Sequence, residues 1–395
     1  MIQARFSERS AAMAGPGSGT GSAAPLEAQG DATLRRIAAR FALGGAIAAI
    51  EPLGNGNVND TYRVTLSGEP GRRFVLQRLN TTVFPHPERV MGNIAALGNH
   101  LEGRLAEEAA GPGRRWEVPQ LIAPLGSAHH WVQDGDDVWR LTTYIEGAQS
   151  LETVATEAQA WQLGFGLGTF HRLLSDLPIE ALADTLEGFH ITPGYLAAYE
   201  RALACSTAAS CEELSFCQAF VAERTALAGV LETAKDQGVL RLRPIHGDPK
   251  VNNVMLDAAS GAAIALVDLD TVKPGLIHYD IGDCCRSGCN PLGEETKDWR
   301  AVRFDPGRCE AILAGYLSAA RDSLTPEDIN FLFDAIRLIA FELGLRFLTD
   351  HLQGNVYFKT RQAGQNLDRA LVQFQLTVSI EAQEEAIRAL IERLR

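Results

Sequence analysis

The chain has 395 residues, of which 46% are hydrophobic, and its formal net charge at pH 7 is −13. A chain of this size can bury a large core, and its length favours two lobes over one compact unit. The strong negative charge argues against nucleic acid or an anionic membrane as a partner. No run approaches the roughly 20 apolar residues that are needed to span a bilayer.

The 7 cysteines are odd in number and scattered along the chain. Cys284, Cys285 and Cys289 are clustered but lack C-x-x-C spacing. This pattern is typical of buried free thiols in a reducing compartment, not of disulfides or a zinc site. The composition therefore predicts a cytoplasmic protein.

The first 30 residues predict a disordered tail. Residues 11–30 are rich in Gly, Ala, Ser and Pro and have no apolar periodicity. The start of the chain carries both charge signs and lacks the basic segment followed by an apolar core that marks a signal peptide. Order is expected to begin at Asp31, which can cap a helix that has Leu34, Ile37 and Phe41 on one face.

Three strands follow, at residues 46–53, 58–66 and 74–79. The first two are linked by the turn-rich segment Gly54-Asn55-Gly56-Asn57. A helix is predicted at about 87–110, and further strands at 121–125, 129–133 and 138–145 complete a first lobe. The segment Tyr144 to Gly147 then leads into a helical region.

The long helix predicted at about 157–174 is apolar along one stripe. Its Gly164-x-Gly166-x-Gly168 spacing indicates close helix packing, because it lacks the strand-then-helix setting of a dinucleotide-binding loop. His171, near the end of this helix, is interpreted as a buried or capping histidine.

The most informative segment is His246-Gly247-Asp248-Pro249-Lys250-Val251-Asn252-Asn253, which is followed by Asp268-Leu269-Asp270. It resembles the H-R-D-L-x-x-x-N catalytic loop of protein kinases and their later metal-binding Asp. Residues 253–256 and 262–267 read as two strands of a hairpin. Because the start of one strand lies beside the end of the other, Asn253 and Asp268 are expected to be close.

These residue types suit phosphoryl transfer, in which the protein mainly positions the acceptor and supplies cations. Asp248 can orient a hydroxyl group and accept its proton. Asn253 and Asp268 offer the oxygen ligands that Mg²⁺ prefers, and Lys250 can reach the transferred phosphate. Turn formation alone would explain either motif by itself, but not their order together.

The kinase-like order of the motifs predicts that segments upstream of the catalytic loop bind the nucleotide. Gly54, Asn55 and Gly56 are candidates to cover the nucleotide phosphates, although an ordinary hairpin turn would read the same. The third strand carries Gln77 where kinases place a Lys, and Arg73, Arg78 or another basic residue could compensate. Alternation should point Arg78 to the opposite face. Tyr144 and Glu146 are candidates to face the purine, with a plain linker as the alternative.

The resemblance implies an α+β, bilobal, protein-kinase-like fold, with an antiparallel sheet in a small lobe and a large, mostly helical lobe. The expected divisions are a tail at 1–30, a small nucleotide-binding lobe at 31–147 and a large catalytic and substrate-binding lobe at 148–395.

The His-Gly-Asp form of the loop resembles the aminoglycoside phosphotransferase and choline kinase superfamily. Several motifs look more closely like the N-acetylhexosamine 1-kinases, in an order that runs from about Thr33 to the C-terminal helix. Those motifs are Gly54-Asn55-Gly56-Asn57-Val58-Asn59-Asp60-Thr61-Tyr62, Val75-Leu76-Gln77-Arg78-Leu79-Asn80-Thr81, Asp248 to Asn253, Val267 to Gly275, Gly344 to Asp350 and Gly354 to Phe358. Members of that group carry Gln at the position of Gln77.

By this resemblance, the reaction is ATP-dependent phosphorylation of the anomeric hydroxyl of a free N-acetylhexosamine, with Mg²⁺ as cofactor. The partners are then a nucleotide and a small sugar, with no nucleic acid and no membrane. The resemblance also assigns a set of acceptor-binding residues: Asn59, Asp270, Glu342, Arg346 and Tyr357. A surface ion pair between Glu342 and Arg346 is the alternative for those two.

Two positions depart from the group. Asn57 stands where relatives can carry His, and Ser287 stands where an aromatic residue can occur, so the acceptor can differ. Asp280 is interpreted as a brace for the catalytic loop or a helix cap. Other acceptors stay open, namely an aminoglycoside, an N-acetylmuramate-like sugar, choline or homoserine. A catalytically idle sugar- or nucleotide-binding protein is the remaining alternative.

Overall fold

A five-stranded antiparallel sheet forms the N-terminal lobe in the computed structural model, which describes residues 26–54, 58–69, 71–108 and 114–395. Its spatial order is β1-β2-β3-β5-β4. Helix α1 precedes the sheet, and helix α2 lies between β3 and β4 in the chain. The elements of this lobe are α1 (Leu26–Ala38), β1 (Ile47–Pro52), β2 (Asp60–Leu66), β3 (Arg73–Leu79), α2 (Pro87–Glu108), β4 (Val132–Asp134) and β5 (Asp137–Thr143).

Two local predictions for this lobe are wrong. Helix α1 begins at Leu26, so Asp31 does not cap it; the Asp31 carboxylate accepts a hydrogen bond from Arg35 Nε at 2.8 Å, one turn later. Residues 121–125 do not form a strand and make only isolated bridges, Leu121 to Thr142 and Pro124 to Phe41. Pro124 has no N–H with which to continue a ladder. The first part of the predicted tail, residues 1–25, lies outside the described residues. For residues 26–30 the prediction of a disordered tail is wrong, because they form the start of α1.

Side-chain alternation gives the sheet two different faces. Phe74 and Leu76 of β3 pack with Ile37 and Phe41 in the apolar cluster beneath α1. Gln77 points to the other face, toward the C-terminal lobe, as period-two geometry requires. The sheet therefore buries one face in its own lobe and presents polar side chains to the second lobe.

The C-terminal lobe is mostly helical. Its helices are α3 (Glu157–Leu173), α4 (Thr192–Cys205), α5 (Glu212–Ala222), α6 (Val230–Asp236), α7 (Ile277–Gly288), α8 (Pro306–Ala320), α9 (Pro326–Asn330), α10 (Leu332–Leu352), α11 (Gln365–Glu381) and α12 (Glu384–Leu394). Its short strands are β6 (Ala148–Gln149), β7 (Arg243–Ile245), β8 (Val254–Asp257), β9 (Ala263–Leu266) and β10 (Lys273–Gly275). Strands β8 and β9 form the predicted hairpin, which β6 extends, and β7 pairs with β10. The predicted α+β, kinase-like architecture is confirmed.

Glycines allow α3 and α8 to pack backbone against backbone. A Cβ atom at Gly164 would lie 1.8 Å from the Ile312 carbonyl oxygen, and one at Gly168 would lie 2.5 Å from that of Tyr316. No side chain fits at such distances, so the structural interpretation of this glycine series is confirmed. The contact fixes α3 beneath the catalytic segments.

The 7 cysteines are free thiols, and two of them, Cys205 and Cys211, are exposed and not buried as expected. Among the described residues, no single helix is long and apolar enough to cross a membrane. One pair, Glu212–Ala222 with Thr225–Asp236, passes that test only when its two segments, bent by 54°, are taken together.

Candidate active site

The loop after β7 carries Asp248 to the cleft between the lobes. Its turn depends on Gly247, which has a φ of +86° and whose Cβ atom would lie 2.7 Å from the Thr271 carbonyl oxygen. The Thr271 hydroxyl donates to the His246 carbonyl at 2.8 Å. Only glycine fits both the left-handed backbone and the close approach.

Asp280 braces this loop from below, which confirms one of the two roles predicted for it. Its carboxylate accepts hydrogen bonds from the backbone N–H groups of His246 at 2.7 Å and Gly247 at 2.8 Å. His171 Nε2, at 2.9 Å, donates to the same carboxylate, and the other ring nitrogen of His171 contacts the Tyr316 hydroxyl. Burial opposes ionisation of Asp280, but these donors outweigh it and lower its pKa.

His246 is a neutral histidine that orients Asp248. Its Nε2 lies 2.9 Å from the Val267 carbonyl, which can only accept, so Nε2 carries the proton. Nδ1 then accepts from the Asp248 backbone N–H at 3.2 Å. Burial lowers the pKa of His246 and keeps it uncharged. Its role is to hold the loop, not to titrate.

Asp248, Lys250 and Asn253 meet in one cluster. Lys250 Nζ donates to the Asp248 carboxylate at 2.6 Å, and Asn253 Nδ2 donates to the Asp248 carbonyl at 2.7 Å. Desolvation opposes the charge on Asp248, but the Lys250 ammonium outweighs it, so the pKa of Asp248 is lowered. The Asn253 amide nitrogen is engaged by Asp248, so its side-chain oxygen is the atom that could serve as a ligand.

Asp268 lies at the end of β9 in a left-handed conformation, with φ of +65°. Its carboxylate is exposed to the cleft and has no hydrogen-bond or ion-pair partner among the described residues. Desolvation by the surrounding protein, with the nearby Asp270 charge, raises the pKa of Asp268 to about 6. An unpaired carboxylate with a raised pKa is the kind of group that a cation stabilises.

The described residues contain no group of three or more His, Cys, Asp or Glu side chains that could hold a metal ion. The side-chain oxygen atoms of Asn253 and Asp268 are ligands of the type that a hard cation takes, together with water and phosphate oxygens. This is the usual binding mode of Mg²⁺, which needs only one or two protein carboxylates.

Glu342 is buried, with 1% exposure. One carboxylate oxygen lies 2.8 Å from His190 Nδ1, and the other accepts from the Thr192 hydroxyl at 2.6 Å. The second ring nitrogen of His190 donates to the Gly247 carbonyl at 2.7 Å. Since both nitrogens face acceptors, His190 is an imidazolium; burial opposes its charge, but Glu342 raises its pKa. Glu342 thus supports the catalytic loop through His190, and the surface ion pair with Arg346 is absent.

Arg346 sits one turn further along α10, inside a ring of aromatic side chains. Its guanidinium carbon lies between 5.1 and 5.9 Å from four ring centroids, those of Phe189, Tyr195, Tyr357 and Phe358. It has no hydrogen-bond or ion-pair partner among the described residues. Aromatic faces stabilise the cation without using its N–H donors, so those donors are available to a ligand.

The loop that carries Tyr357 is organised by Asp350. The Asp350 carboxylate accepts the backbone N–H groups of Val356 and Tyr357 at 2.8 Å and that of Phe358 at 3.0 Å. Asn355, at φ of +63°, makes the turn. These bonds place Tyr357 beside Arg346.

The N-terminal lobe contributes to the cleft a buried cation, Arg140, that was not predicted from the sequence. Arg140 of β5 donates from Nε at 2.9 Å and Nη2 at 2.7 Å to the Gln77 side-chain oxygen, and it forms an ion pair with Asp270. Asn59 Nδ2 donates to the same Asp270 carboxylate at 2.6 Å. Asp270 and Asn59, both expected at the acceptor, thus join the two lobes. A lone Arg among the apolar residues of β5 was the available signal.

Arg73 and Arg78, the two basic residues of β3, form ion pairs with carboxylates. Arg73 forms an ion pair with Glu146, and its guanidinium stacks 4.6 Å from the centroid of Tyr144. Arg78 lies on the opposite face, as alternation predicted, where it pairs with Asp60 and Asp137. Both guanidinium groups are thus paired with carboxylates within the protein.

The link between the lobes has free backbone groups. Tyr144 and Ile145 make no backbone hydrogen bonds among the described residues, although Ile145 is only 6% exposed. The Glu146 carbonyl accepts from Arg115. Unpaired backbone groups at a buried position are the kind that a planar purine edge can satisfy.

The remaining expected residues are placed as follows. Gly54, two residues after the end of β1, has φ of +71°, whereas Asn55, Gly56 and Asn57 lie outside the described residues. Ser287 Oγ accepts from the Val251 N–H at 3.2 Å and thereby supports the catalytic loop.

The comparisons agree with this geometry. The model of the phosphotransferase enzyme family (APH) matches residues 49–321. A microcompartment-associated aminopropanol kinase superposes with a TM-score of 0.60 at 16% identity, over 90% of this chain and 98% of its own. An aminoglycoside phosphotransferase from Alicyclobacillus acidocaldarius gives 0.56 at 17% identity, over 94% and 98%.

An amicoumacin kinase, solved in complex with AMP-PNP, Ca²⁺ and Ami, gives a TM-score of 0.54 at 14% identity, over 89% of this chain and 93% of its own. At these identities, the likeness shows the fold alone. The family match covers most of the chain and includes Asp248, Asn253 and Asp268. The chain therefore belongs to the phosphotransferase enzyme family and is a small-molecule kinase of the aminoglycoside phosphotransferase and choline kinase superfamily.

Proposed function

We propose that the protein transfers the γ-phosphate of ATP to the anomeric hydroxyl of an N-acetylhexosamine and so forms a sugar 1-phosphate. The observation that carries this proposal is the charge of the acceptor end of the cleft. Arg346 presents an unpaired guanidinium there, while the buried carboxylates on the same helix, Glu342 and Asp350, are already paired. A neutral or acidic acceptor with several oxygen atoms suits such a site.

Asp248 acts as the base for the acceptor hydroxyl. Its lowered pKa keeps it ionised at neutral pH, and Lys250 at 2.6 Å holds its orientation and adds positive charge beside the transferred group. Asn253 and Asp268 would hold Mg²⁺, which, when bound, supplies charge that neutralises the phosphate oxygens. The His190 imidazolium and the Asp280 carboxylate keep the loop in place from two sides.

The nucleotide is proposed to lie under the segment that contains Gly54, Asn55 and Gly56, with its base against Tyr144 to Glu146. The free backbone groups of Tyr144 and Ile145 support this placement. Gln77 lies on the cleft face of β3, where its Nε2 donates to the Thr61 hydroxyl at 3.1 Å.

The acceptor is proposed to lie against Arg346 and Tyr357, with Asn59 and Asp270 on the opposite side of the cleft. Glu342 serves this pocket by fixing His190, because both of its carboxylate oxygens are engaged within the protein. This differs from the direct sugar contact expected from the family resemblance.

One alternative acceptor has a specific observation in its favour. An N-acetylmuramate-like sugar carries a carboxylate that could pair with the unpaired Arg346 guanidinium. Choline, aminoglycosides and other cationic acceptors would place a positive charge near that same guanidinium, so the pocket disfavours them.

A matched substrate panel tests the proposal. The protein is incubated with magnesium ATP and N-acetylglucosamine, N-acetylgalactosamine, N-acetylmuramate, choline, homoserine or an aminoglycoside, and the products are identified by ³¹P NMR. The 1-O-methyl glycoside of N-acetylglucosamine is the control, because its anomeric hydroxyl is blocked. We expect phosphate on C1 of the free sugar and no product from the glycoside. Phosphorylation of the glycoside, or of a cationic alcohol alone, would contradict the proposal.

A further inference from the structure

The kinase-like site lacks a cation at its usual place. Gln77 occupies the third-strand position from which kinases direct a Lys to the nucleotide phosphates, and its amide carries no charge. Arg73 is committed to Glu146 at the link between the lobes, and Arg78 is committed to Asp60 and Asp137 on the other face of the sheet. A phosphate-binding cation therefore has to come from another element.

Arg140 is the basic residue that faces this place. It is the register partner of Gln77 across β3 and β5, so the two side chains project from the same face of the sheet. The guanidinium donates two hydrogen bonds to the Gln77 side-chain oxygen, and Gln77 Nε2 in turn donates to the Thr61 hydroxyl at 3.1 Å. Gln77 thus holds the Arg140 guanidinium close to where its own side chain ends.

This arrangement explains why the third strand carries an amide. A Lys at position 77 would place an ammonium against the Arg140 guanidinium and would repel it. A Gln side-chain oxygen accepts from the guanidinium and orients it instead. The positive charge has moved by one strand, from β3 to β5, without leaving the cleft face.

The Arg140 guanidinium is held by a carboxylate that a phosphate can replace. Arg140 is 2% exposed, and it reaches the second lobe through its ion pair with Asp270, two residues after Asp268. Its Nη1 atom is engaged in this ion pair. A phosphate oxygen is the same kind of anionic acceptor as the Asp270 carboxylate, so it can take that place.

Other cations of the cleft have different partners. Lys250 is paired with Asp248, and Arg286 is paired with Asp283 and Glu294. Arg346 lies in the aromatic ring at the acceptor end. Arg140 is consequently the described cation best placed for the nucleotide side.

We propose that Arg140 binds the nucleotide phosphates in place of the missing third-strand Lys, with Asp270 as its counter-ion when no nucleotide is bound. The proposal rests on the nucleotide site proposed above, but it concerns phosphate recognition and does not depend on the identity of the acceptor. It is therefore tested by binding, in the absence of any acceptor.

The experiment compares the affinities for ADP and for adenosine, measured by calorimetric titration without metal. Arg140→Gln should weaken ADP binding by about tenfold or more, the size of a lost charge-assisted hydrogen bond, and leave adenosine binding unchanged. Arg140→Lys should fall between the two. Arg78→Gln is the matched control, because Arg78 lies on the same sheet but on the outer face, and it should bind both ligands as the wild type does.

Two further variants separate phosphate binding from a structural role. Gln77→Lys in the Arg140→Gln background returns a cation to the third strand and should restore part of the ADP affinity. Asp270→Asn in that background should not restore it. Restoration by Asp270→Asn would overturn the proposal, because Arg140 would then act only by neutralising Asp270.

Equal loss of ADP and adenosine binding in Arg140→Gln, or no loss of either, would also overturn it. Failure of the wild type to bind ADP would instead contradict the proposed nucleotide site itself, so the two failures are distinguishable.

Discussion

The imidazolium of His190 links Glu342 of α10 to the Gly247 carbonyl of the catalytic loop, with ring nitrogens 2.8 Å and 2.7 Å from the two acceptors. His190 adopts φ of +64° and stacks on Tyr279 at a centroid distance of 5.1 Å. The left-handed backbone of a non-glycine residue has a cost that the surrounding contacts must offset. Gly247, the residue before Asp248, is therefore positioned by the ion pair between His190 and Glu342.

Glu342→Gln should lower kcat by about tenfold, which corresponds to a loss of about 1.4 kcal/mol in the transition state, with little change in the nucleotide KM. The Glu342 carboxylate raises the pKa of His190. Without it, the imidazolium should be lost at a lower pH, so the variant should lose activity as the pH rises through a range in which the wild type keeps it. Steady-state kinetics measure the fall in kcat and the shift of the pH profile. A range of about pH 5.5 to about pH 8.5 is suitable, because it includes the ordinary His pKa of about 6.5.

Thr192→Val is the comparison for this variant, because it removes one hydrogen bond to Glu342 but keeps the charge pair. It should lower kcat less and leave the pH profile unshifted. An unshifted profile in Glu342→Gln would contradict the positioning role.

Asp248→Asn should reduce kcat by about 10²- to 10⁴-fold, the usual contribution of a general base, while nucleotide binding persists. The amide keeps the shape of the side chain but cannot accept the hydroxyl proton. An assay of ADP formation in the presence of the acceptor and a nucleotide titration on the same preparation check the two parts. Asp236→Asn, at a carboxylate with 77% side-chain exposure, is the control. Turnover that survives in Asp248→Asn would exclude this residue as the base.

Arg346→Gln should raise the KM of the acceptor by about tenfold or more and leave the nucleotide KM unchanged, because the lost donors face only the acceptor end. The control is Arg337→Gln on the same helix, where Arg337 pairs with Asp334 away from the pocket. The measurement is the acceptor dependence of the initial rate at saturating ATP. A change confined to the nucleotide KM would contradict this prediction, because it would mean that Arg346 contacts the nucleotide and not the acceptor.

Gly164→Ala should lower the free energy of unfolding by about 1–3 kcal/mol, because the new methyl group collides with the Ile312 backbone across the α3–α8 contact. Gly194→Ala is the matched control: its Cβ atom meets nothing within 4 Å, so it should be neutral or stabilising by up to about 1 kcal/mol. Urea denaturation measures both. Equal effects of the two substitutions would show that the helices separate without strain.

His278 should make stability depend on mildly acidic pH. Burial lowers its pKa to about 4, and its Nε2 donates to the Asp328 carbonyl at 2.9 Å. The unfolded chain, with an ordinary pKa of about 6.5, binds the proton first, so stability is present above that pH and is lost as the pH falls toward 4. The loss from this group is on the order of 2–3 kcal/mol.

His278→Gln should therefore lose less free energy of unfolding than the wild type when the pH falls from about 6.5 to about 4.5, the range between the two pKa values. His86→Gln, at a histidine with 52% side-chain exposure, should behave as the wild type does. Parallel pH profiles for the wild type and His278→Gln would mean that the buried ring does not resist protonation.

The family and the main chemistry could be read from the sequence because the informative residues are close along the chain. Asp248 and Asn253 belong to one loop, and the β8–β9 hairpin that brings Asp268 beside them follows from local alternation and a turn. Alternation likewise placed Arg78 on the outer face. The glycines of α3 were recognised as packing residues because no phosphate-binding setting surrounds them.

Other parts of the site were decided only by tertiary structure. Arg140 is 63 residues from Gln77, and His190 is 57 residues from Gly247, so their contacts depend on strand register and on how helices and loops pack. Glu342 and Arg346 are one turn apart and were expected at the acceptor, with a surface ion pair as the alternative, but burial gave them different partners. Sequence determined which groups can perform the chemistry; long-range packing decided which of them face the cleft, because side-chain direction at such separations is fixed by the whole fold.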